Sequence, residues 1–455
     1  MRSLRQISSS LYPILSFLLL ILIGAIVLLA LPTRDGAHIS IIDALFMATS
    51  ATCVTGLSVI DIGAQFSIWG QLTILVLIQL GGLGIMTFST VLLLALGRSI
   101  SFRSRFVVQD VLTSSPQEDL YTLLRHVVIF TFSLEAAATM VLFLRFLGQF
   151  EPPEAFYYAL FHSISAFCNA GFSLFSDSLM SYRSDLVINS VIVVLIIMGG
   201  IGFLVLHEAV RDIGKPLSWS RFWKEMSLHS KIVIWMTSIL LAGGTFFLLI
   251  SEWAYSLKGF PFWEKVLASL FQSVTPRTAG FNTLDIASLN NVTLLGIILL
   301  MFIGASPGSC GGGVKTSSLG VLLALNRSRL SGSSQVHAFK RSIPSSTIDR
   351  AFGIFVISVM IVIIGTALLL ITESGDLPLK AGRGAFLELL FETASAFGTV
   401  GLSMGVTSSL TSWGKLILVL IMFTGRLGPL VIAMAIQSAP GRAQFRYAEE
   451  RVMIG

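Results

Sequence analysis

The sequence predicts an all-α integral membrane protein. Its four covalently linked helix–pore-loop–helix units place eight transmembrane helices and four re-entrant pore helices around one pseudo-fourfold ion pore. Three observations predict this class. Of the 455 residues, 54% are hydrophobic and 12% charged, about half the charge that a soluble domain carries. Eight apolar stretches lie at 14–31, 69–96, 126–147, 186–206, 232–250, 292–325, 351–371 and 413–436. Each reaches the roughly 18–20 residues that a helix needs to span a bilayer. Between stretches one and two, three and four, five and six, and seven and eight lies one short segment, repeated four times.

The copies run Ala44–Leu57, Ala159–Phe172, Ser269–Phe281 and Leu389–Leu402. Each holds a Leu-Phe pair, a run of small residues, and a glycine followed by Leu or Phe. Phenylalanine and glycine are ten residues apart in three copies and nine in the third, and successive glycines are 115, 109 and 121 residues apart. One unit repeated along the whole chain reads as four units about one axis. With about 11–15 residues before the glycine, the segments are too short to span and read as re-entrant half-helices followed by loops. The units are expected at 1–110, 111–225, 226–345 and 346–440, with a short cytoplasmic tail at 441–455.

At the start of the chain, Arg2 and Arg5 precede an apolar stretch too long for a signal peptide. No small-residue cleavage site follows before Pro32 and Arg34, so this stretch reads as the first helix. Lys and Arg concentrate before the first helix, after the eighth and between units, among them Arg98, Arg103, Arg105, Lys215, Arg221, Arg327, Arg329, Arg442 and Arg446. The opposite side holds fewer, including Arg34, Arg183, Lys258 and Lys415. The positive-inside rule puts both termini and the inter-unit loops in the cytoplasm, with the half-helices entering from outside. The formal charge of +6 then reflects topology and contact with anionic lipid. No basic stripe with interleaved aromatics points to nucleic acid. Trp69, Trp253, Trp263 and Trp413, near the outer helix ends, read as interfacial anchors. Cys53, Cys168 and Cys310 lack metal-ligand spacing and read as space-filling thiols.

The loops carry the chemistry. A dehydrated cation needs oxygens around it, and backbone carbonyls supply them without counter-charge. Pointing successive carbonyls at one axis demands unusual backbone angles, which glycine tolerates. Val54-Thr55-Gly56, Asn169-Ala170-Gly171, Thr278-Ala279-Gly280 and Thr399-Val400-Gly401 therefore read as an ion-binding selectivity filter. Each half-helix would aim the partial negative charge of its C-terminus at the pore centre. A glycine that merely caps a helix explains one copy, but not four in register.

The last helix of each unit adds a gate. Aligning Trp69 with Trp413 sets Gly81-Gly82-Leu83-Gly84 against Gly425-Arg426-Leu427-Gly428, and unit two offers Gly199-Gly200-Ile201-Gly202. Arg426 thus stands where its counterparts are glycine, at a depth where a charge costs at least about 2.5–3.5 kcal/mol on insertion scales. Beneath a cation pore it reads as a barrier or gate, with pairing to a neighbouring carboxylate as the structural alternative; the two can coexist. In unit three the helix is interrupted by an intramembrane loop at 304–318, where Pro307 and Gly304, Gly308, Gly311, Gly312 and Gly313 cannot sustain a helix in lipid. This loop, including Lys315, reads as a flexible gate below the filter. A phosphate-binding loop fails as a rival, because Val314 separates Gly313 from Lys315 and no strand precedes.

Other polar residues are less specific. His162 and Arg277 read as locally hydrogen-bonded, and Glu135 or His207-Glu208 would be needed for a proton relay. Glu392 reads as a filter-supporting carboxylate or as a neighbour of Arg426. No nucleophile–base set argues for a membrane enzyme.

On the four filter glycines, the Gly308-Ser-Cys-Gly-Gly-Gly313 run and Arg426 together, the chain resembles the Trk/Ktr/HKT superfamily of potassium transporters over nearly its whole length. Starting directly with unit one and ending in a short tail, it is most similar to the bacterial Ktr membrane subunits, the KtrB type. That resemblance implies potassium uptake across the bacterial inner membrane, often sodium-dependent and used against osmotic stress. It implies a homodimer with one pore per subunit and a cytosolic ring of nucleotide-binding, KtrA-type regulatory subunits. Potassium would occupy the filter, sodium would be a coupling or activating ion, and no organic cofactor is implied. Family members carry a gating loop in the third unit and an arginine in the last helix, matched here by Gly304–Ser318 and Arg426. Only one glycine per loop is shared with tetrameric potassium channels, which implies weaker selectivity. A sodium-selective member with serine at the first filter glycine is an alternative that Gly56 argues against; a proton-coupled symporter is another.

Overall fold

Each unit consists of a long first helix, a shorter pore helix and a last helix in the computed structural model, which describes residues 11–83, 120–211, 223–373 and 382–428. Unit one runs Leu11–Ala30, Ile41–Thr52 and Ile68–Gly82, and unit two Leu120–Phe146, Pro152–Phe167 and Leu186–Gly200. Unit three runs Leu228–Ser251, Phe262–Val274 and Asn291–Phe302, and unit four Ser345–Glu373, Gly382–Gly398 and Ser412–Leu427. Residues 84–96 of the second apolar stretch, the last part of the eighth, the tail at 441–455 and basic residues such as Arg98, Lys215, Arg221 and Arg442 lie outside the described residues.

The element starts are written locally. Ser67, Asp185, Asn290 and Thr411 each accept a backbone N–H in the first turn of the four last helices, satisfying donors that a helix leaves open. Pro152 and Pro153 open the second pore helix, where a missing N–H costs nothing. The repeated Leu-Phe pair also finds its reason. Phe46, Phe161, Phe271 and Phe391 are all fully buried, anchoring each pore helix through dispersion contacts. On the opposite surface Ile26, Phe132, Leu144, Phe246 and Ile371 are exposed, the lipid-facing belt of a membrane protein. Trp69, Trp253, Trp263 and Trp413 are exposed as well.

Among the described residues, three helices are long and apolar enough to cross a membrane alone: Arg125–Phe146, Leu228–Ser251 and Ser345–Glu373. The last helix of unit two departs from the single stretch predicted at 186–206. It breaks after Ile201 and turns by 101° into Phe203–Arg211. Gly202 makes the corner at φ +96°, and the Phe203 N–H leaves the helix to donate to the Gly308 carbonyl at 2.9 Å. In unit three the helix stops at Phe302 and resumes over Thr316–Leu330. The irregular loop is therefore shorter than predicted, because Thr316 to Ser318 already form the first helical turn. The only strands among the described residues are His337–Ala338 and Arg341–Ser342, a small hairpin.

The fourth unit closes on the first. The last helix of unit four packs on the pore helix of unit one, and Lys415 Nζ meets Asp43 Oδ1 at 2.7 Å.

Candidate ion pathway

The four filter segments meet in one ring. A Cβ placed on Gly56 would lie 3.2 Å from Gly171 Cα, one on Gly171 2.7 Å from Gly280 Cα, one on Gly280 3.3 Å from Gly401 Cα, and one on Gly401 2.9 Å from Gly56 Cα. The cycle runs one, two, three, four and back to one. The carbonyl oxygens of Ala170, Ala279, Val400 and Thr55 sit against those same glycines, each contributed by the next unit. No side chain fits in this ring, so the glycines are required by the closeness of the backbones.

Backbone angles follow the same repeat. Gly56, Gly171, Gly280 and Gly401 have φ of 94°, 68°, 77° and 91°, and the residues two before them, Val54, Asn169, Thr278 and Thr399, have 55°, 58°, 71° and 50°. Thr55, Ala170, Ala279 and Val400, between them, are not left-handed. Alternating the sign of φ turns successive carbonyls to one side, as a carbonyl cage for a cation requires. Three of the left-handed residues are β-branched, where this conformation is least tolerated. Such strain persists where the surroundings enforce it.

A hydroxyl residue near the end of each pore helix does the enforcing. The N–H of Thr55, Ala170 and Val400 donates to the carbonyls of Ser50, Ser165 and Ser395 at 2.8, 2.7 and 2.8 Å, five residues back. In unit three the Ala279 N–H donates to Thr275, four residues back, at 2.9 Å. The residue missing from copy three is thus taken out of this turn, and the filter keeps its register. The side chains of these same residues tie down the filter end. Ser50 and Ser395 accept from the N–H of Gly56 and Gly401 at 3.2 and 3.1 Å, while Ser165 and Thr275 donate to the carbonyls of Phe172 and Phe281 at 2.8 and 2.5 Å. These four hydroxyls escaped the sequence reading. A hydroxyl five or six residues before every filter glycine was the signal, hidden in a run of small residues.

On one side the ring opens into a mouth of about 480 Å³, lined by the four glycines and by Ser58, Asp61, Ser173, Asn282, Ser403 and Thr407. The unit-three loop packs against the filter segments at Thr278 and Thr399. Its ends are paired, Ile303 bridging Val314, with the Gly304 N–H donating to the Val314 carbonyl at 2.9 Å. Its middle is stitched to the corner of unit two: Ser306 and Cys310 donate to the carbonyls of Gly200 and Gly199 at 3.0 and 3.1 Å. A Cβ on Gly202 would sit 2.6 Å from the Pro307 carbonyl oxygen. Gly311 lies against the Thr278 hydroxyl, and the Gly312 N–H donates to Thr399 Oγ1 at 3.0 Å. Both contacts reach left-handed filter residues. Lys315 Nζ returns to the Gly311 carbonyl at 2.6 Å.

Arg426 is buried in the last turn of the fourth last helix. One guanidinium nitrogen donates to the Cys310 carbonyl of the loop, the other to the Gly81 carbonyl of unit one. Among the described residues its partners are backbone carbonyls, and the carboxylate pairing considered for it is not found. Its neighbours Gly81 and Gly425, like Gly199, let the last helices press against the pore-helix carbonyls of Thr52, Phe397 and Phe167. Cys53, Cys168 and Cys310 are buried free thiols around this level.

The remaining polar residues sort themselves. Glu392 lies away from Arg426 and accepts hydrogen bonds from the stretch after the fourth filter segment. His162 bonds to the Tyr158 carbonyl and Ser173, and Arg277 to Thr237. Glu135 accepts from the Gln79 amide at 3.1 Å, and His207 stacks on His126.

A family model described as "Cation transport protein", TrkH, matches residues 12–446. The chain belongs to this family. It is therefore a membrane transport protein and not an enzyme. It is 41% identical to the "Ktr system potassium uptake protein B" of Bacillus subtilis, over 97% of this chain and 95% of that one. It is 38% identical to the protein of the same description from Vibrio alginolyticus, over 97% and 94%. A "Potassium/sodium uptake protein NtpJ" from Enterococcus hirae is 34% identical, over 96% and 95%. Among solved structures, the potassium transporter TrkH from Vibrio parahaemolyticus superposes with a TM-score of 0.72 at 21% identity, over 96% of this chain and 86% of that one. That likeness carries the fold of four helix–pore–helix units.

Proposed function

We propose that this chain is the pore-forming subunit of a Ktr-type potassium uptake system in the bacterial plasma membrane. The closed ring of four filter segments carries the reading. Four pore-helix ends and a set of close-packed carbonyls surround one axis, with a polar mouth on one side and the unit-three loop packed against the filter segments. A potassium ion in the mouth exchanges water for the carbonyls of Val54-Thr55-Gly56, Asn169-Ala170-Gly171, Thr278-Ala279-Gly280 and Thr399-Val400-Gly401. The partial negative ends of the pore helices offset the cost of that dehydration.

Below the ring, Gly304, Pro307, Gly308, Gly311, Gly312, Gly313 and Lys315 form the gate, and Arg426 latches it to unit one while placing a fixed positive charge near the path. Release of that latch opens the pathway to the cytoplasm, where we place both termini and the loops between the units 1–110, 111–225, 226–345 and 346–440. The names of the relatives support potassium as the main ion, sodium as a second one, and membership of a multi-subunit system. In its finer form, the system is a homodimer of this chain on a cytosolic ring of KtrA-type nucleotide-binding subunits, with sodium-dependent uptake.

The test is growth of a potassium-uptake-deficient bacterium at limiting potassium, with this chain alone and with a co-expressed cytosolic partner. Rescue that strengthens with the partner is the expected result. An inserted chain that supports no growth under either condition would contradict the proposal.

A further inference from the structure

One residue after the buried phenylalanine, the four pore helices carry four unlike side chains: Met47, His162, Gln272 and Glu392. Each reaches the stretch that follows its own filter glycine. The Ser58 hydroxyl meets Met47 Sδ at 3.4 Å, His162 Nε2 meets Ser173 Oγ at 3.0 Å, and Gln272 Nε2 donates to the Leu284 carbonyl at 3.5 Å. Ser58 and Ser173 stand two residues after their glycines, as Ser403 does in unit four. In units one to three the strut makes a single hydrogen bond to that stretch, and the one from Gln272 is long.

Unit four is different. Glu392 is fully buried, and its carboxylate accepts from the Ser403 hydroxyl, from the Met404 N–H at 3.2 Å and from Thr407 Oγ1 at 2.9 Å. Ser403 and Thr407 line the mouth above the ring, with their hydroxyl oxygens 3.0 Å apart. Gly401 is therefore held on both sides, by Ser395 from the helix end and by this clamp two residues on. The segment it closes contains Thr399, at φ 50° the least positive of the four left-handed residues before a filter glycine.

We infer that Glu392 is a positioning residue for ion selection: it fixes the fourth filter segment from behind, and so sets how closely the carbonyl ring fits potassium rather than sodium. This rests on the potassium-uptake reading above. Both carboxylate oxygens serve as acceptors. An isosteric glutamine turns one of them into an amide donor, which then faces a hydroxyl or an N–H that needs an acceptor. The clamp loosens without loss of volume. Ser403 and Thr407 are the hydroxyl donors of this clamp, so removing either loosens the same segment.

The experiment measures potassium and sodium uptake against concentration in deficient cells expressing the full chain, with purified yield and melting temperature of each variant recorded beside it. For Glu392→Gln the half-saturating potassium concentration should rise about tenfold, with the potassium-to-sodium ratio falling and the maximal rate changing less, as expected when charge-assisted hydrogen bonds are lost at the binding step. Glu392→Asp should fall between. If Glu392→Gln does not fold, Thr407→Val and Ser403→Ala must shift the ratio in the same direction. Folded variants with unchanged half-saturation and unchanged ratio overturn the inference while leaving potassium uptake itself intact. A wild-type chain that carries no potassium overturns the underlying reading and the inference with it.

Discussion

A serine at position 56 would carry its Cβ into the Ala170 carbonyl and to within 3.2 Å of Gly171 Cα, on a backbone held at φ +94°. The left-handed conformation alone costs a non-glycine residue roughly 1–2 kcal/mol, and the collision must be relieved by moving the neighbouring loop. Gly56→Ser is accordingly expected to lower the potassium-to-sodium uptake ratio in cells by about tenfold; an unchanged ratio would remove Gly56 from the filter. Arg426 calls for a different experiment. Its two carbonyl partners tie the loop to unit one, so Arg426→Ala should raise the maximal uptake rate and leave the apparent potassium affinity, set in the ring above, little changed. Hydrogen bonds from a charged donor are worth about 1.5–3 kcal/mol each, so the melting temperature should fall too. Faster transport separates a latch from a mere structural tie: lower stability with no gain in rate would leave only the tie. Arg426→Lys keeps the charge and loses the planar fork, so it should retain the barrier and only one of the two ties. At this scale the filter glycines were legible because four copies repeat them. The left-handed Val54, Thr278 and Thr399 were not, since β-branched side chains argue for extended backbone and only the neighbouring loops impose the opposite.

Among the elements, the unit-three loop makes the sharpest prediction. Its contacts run to both sides of the pathway: Gly200 and Gly199 of unit two, Thr399 and Arg426 of unit four. Deleting Gly311 to Gly313 removes the part that lies under Thr278 and Thr399, while the paired ends at Ile303 and Val314 can still close a shorter turn. Basal flux should rise several-fold and depend less on the cytosolic partner, as measured by uptake with and without that partner; a deletion that stays inserted, slow and fully partner-dependent would exclude a gate. The position of the loop was readable in the sequence, because Pro307 and five glycines forbid a helix in lipid. What it packs against was not. The 101° corner of unit two is held by tertiary hydrogen bonds from Phe203 to Gly308 and from Cys310 to Gly199, and an apolar stretch with a Gly-Gly-Ile-Gly end does not distinguish a bend from a straight span. The nine-residue spacing in copy three was visible, yet its harmlessness became clear only from the four-residue turn at Thr275.

At the scale of the whole molecule, four units in a row must close into a ring, and the seam lies between the last and the first. Lys415 and Asp43 pair across it at 2.7 Å while both remain partly exposed. A pair in that setting is worth roughly 1 kcal/mol or less. Asp43→Asn and Lys415→Met should each lower thermal stability slightly, and the double variant should lose less than the sum of the two. Strict additivity would mean that the seam is held by helix packing alone. The fourfold plan itself was legible from four glycines and eight apolar stretches, whereas the seam joins residues 372 positions apart, a separation at which periodicity carries no information. The central claim is that the four loops of one chain build one potassium path. It is tested most directly by flux into proteoliposomes holding the purified chain, with potassium and sodium compared at each of Gly56→Ser, Gly171→Ser, Gly280→Ser and Gly401→Ser, and with an imposed pH gradient as a separate arm. The account predicts saturable potassium flux that exceeds sodium flux, ignores the pH gradient, and loses ion preference in all four variants. Flux that follows the proton gradient, or preference that survives serine in any one of the loops, would contradict it.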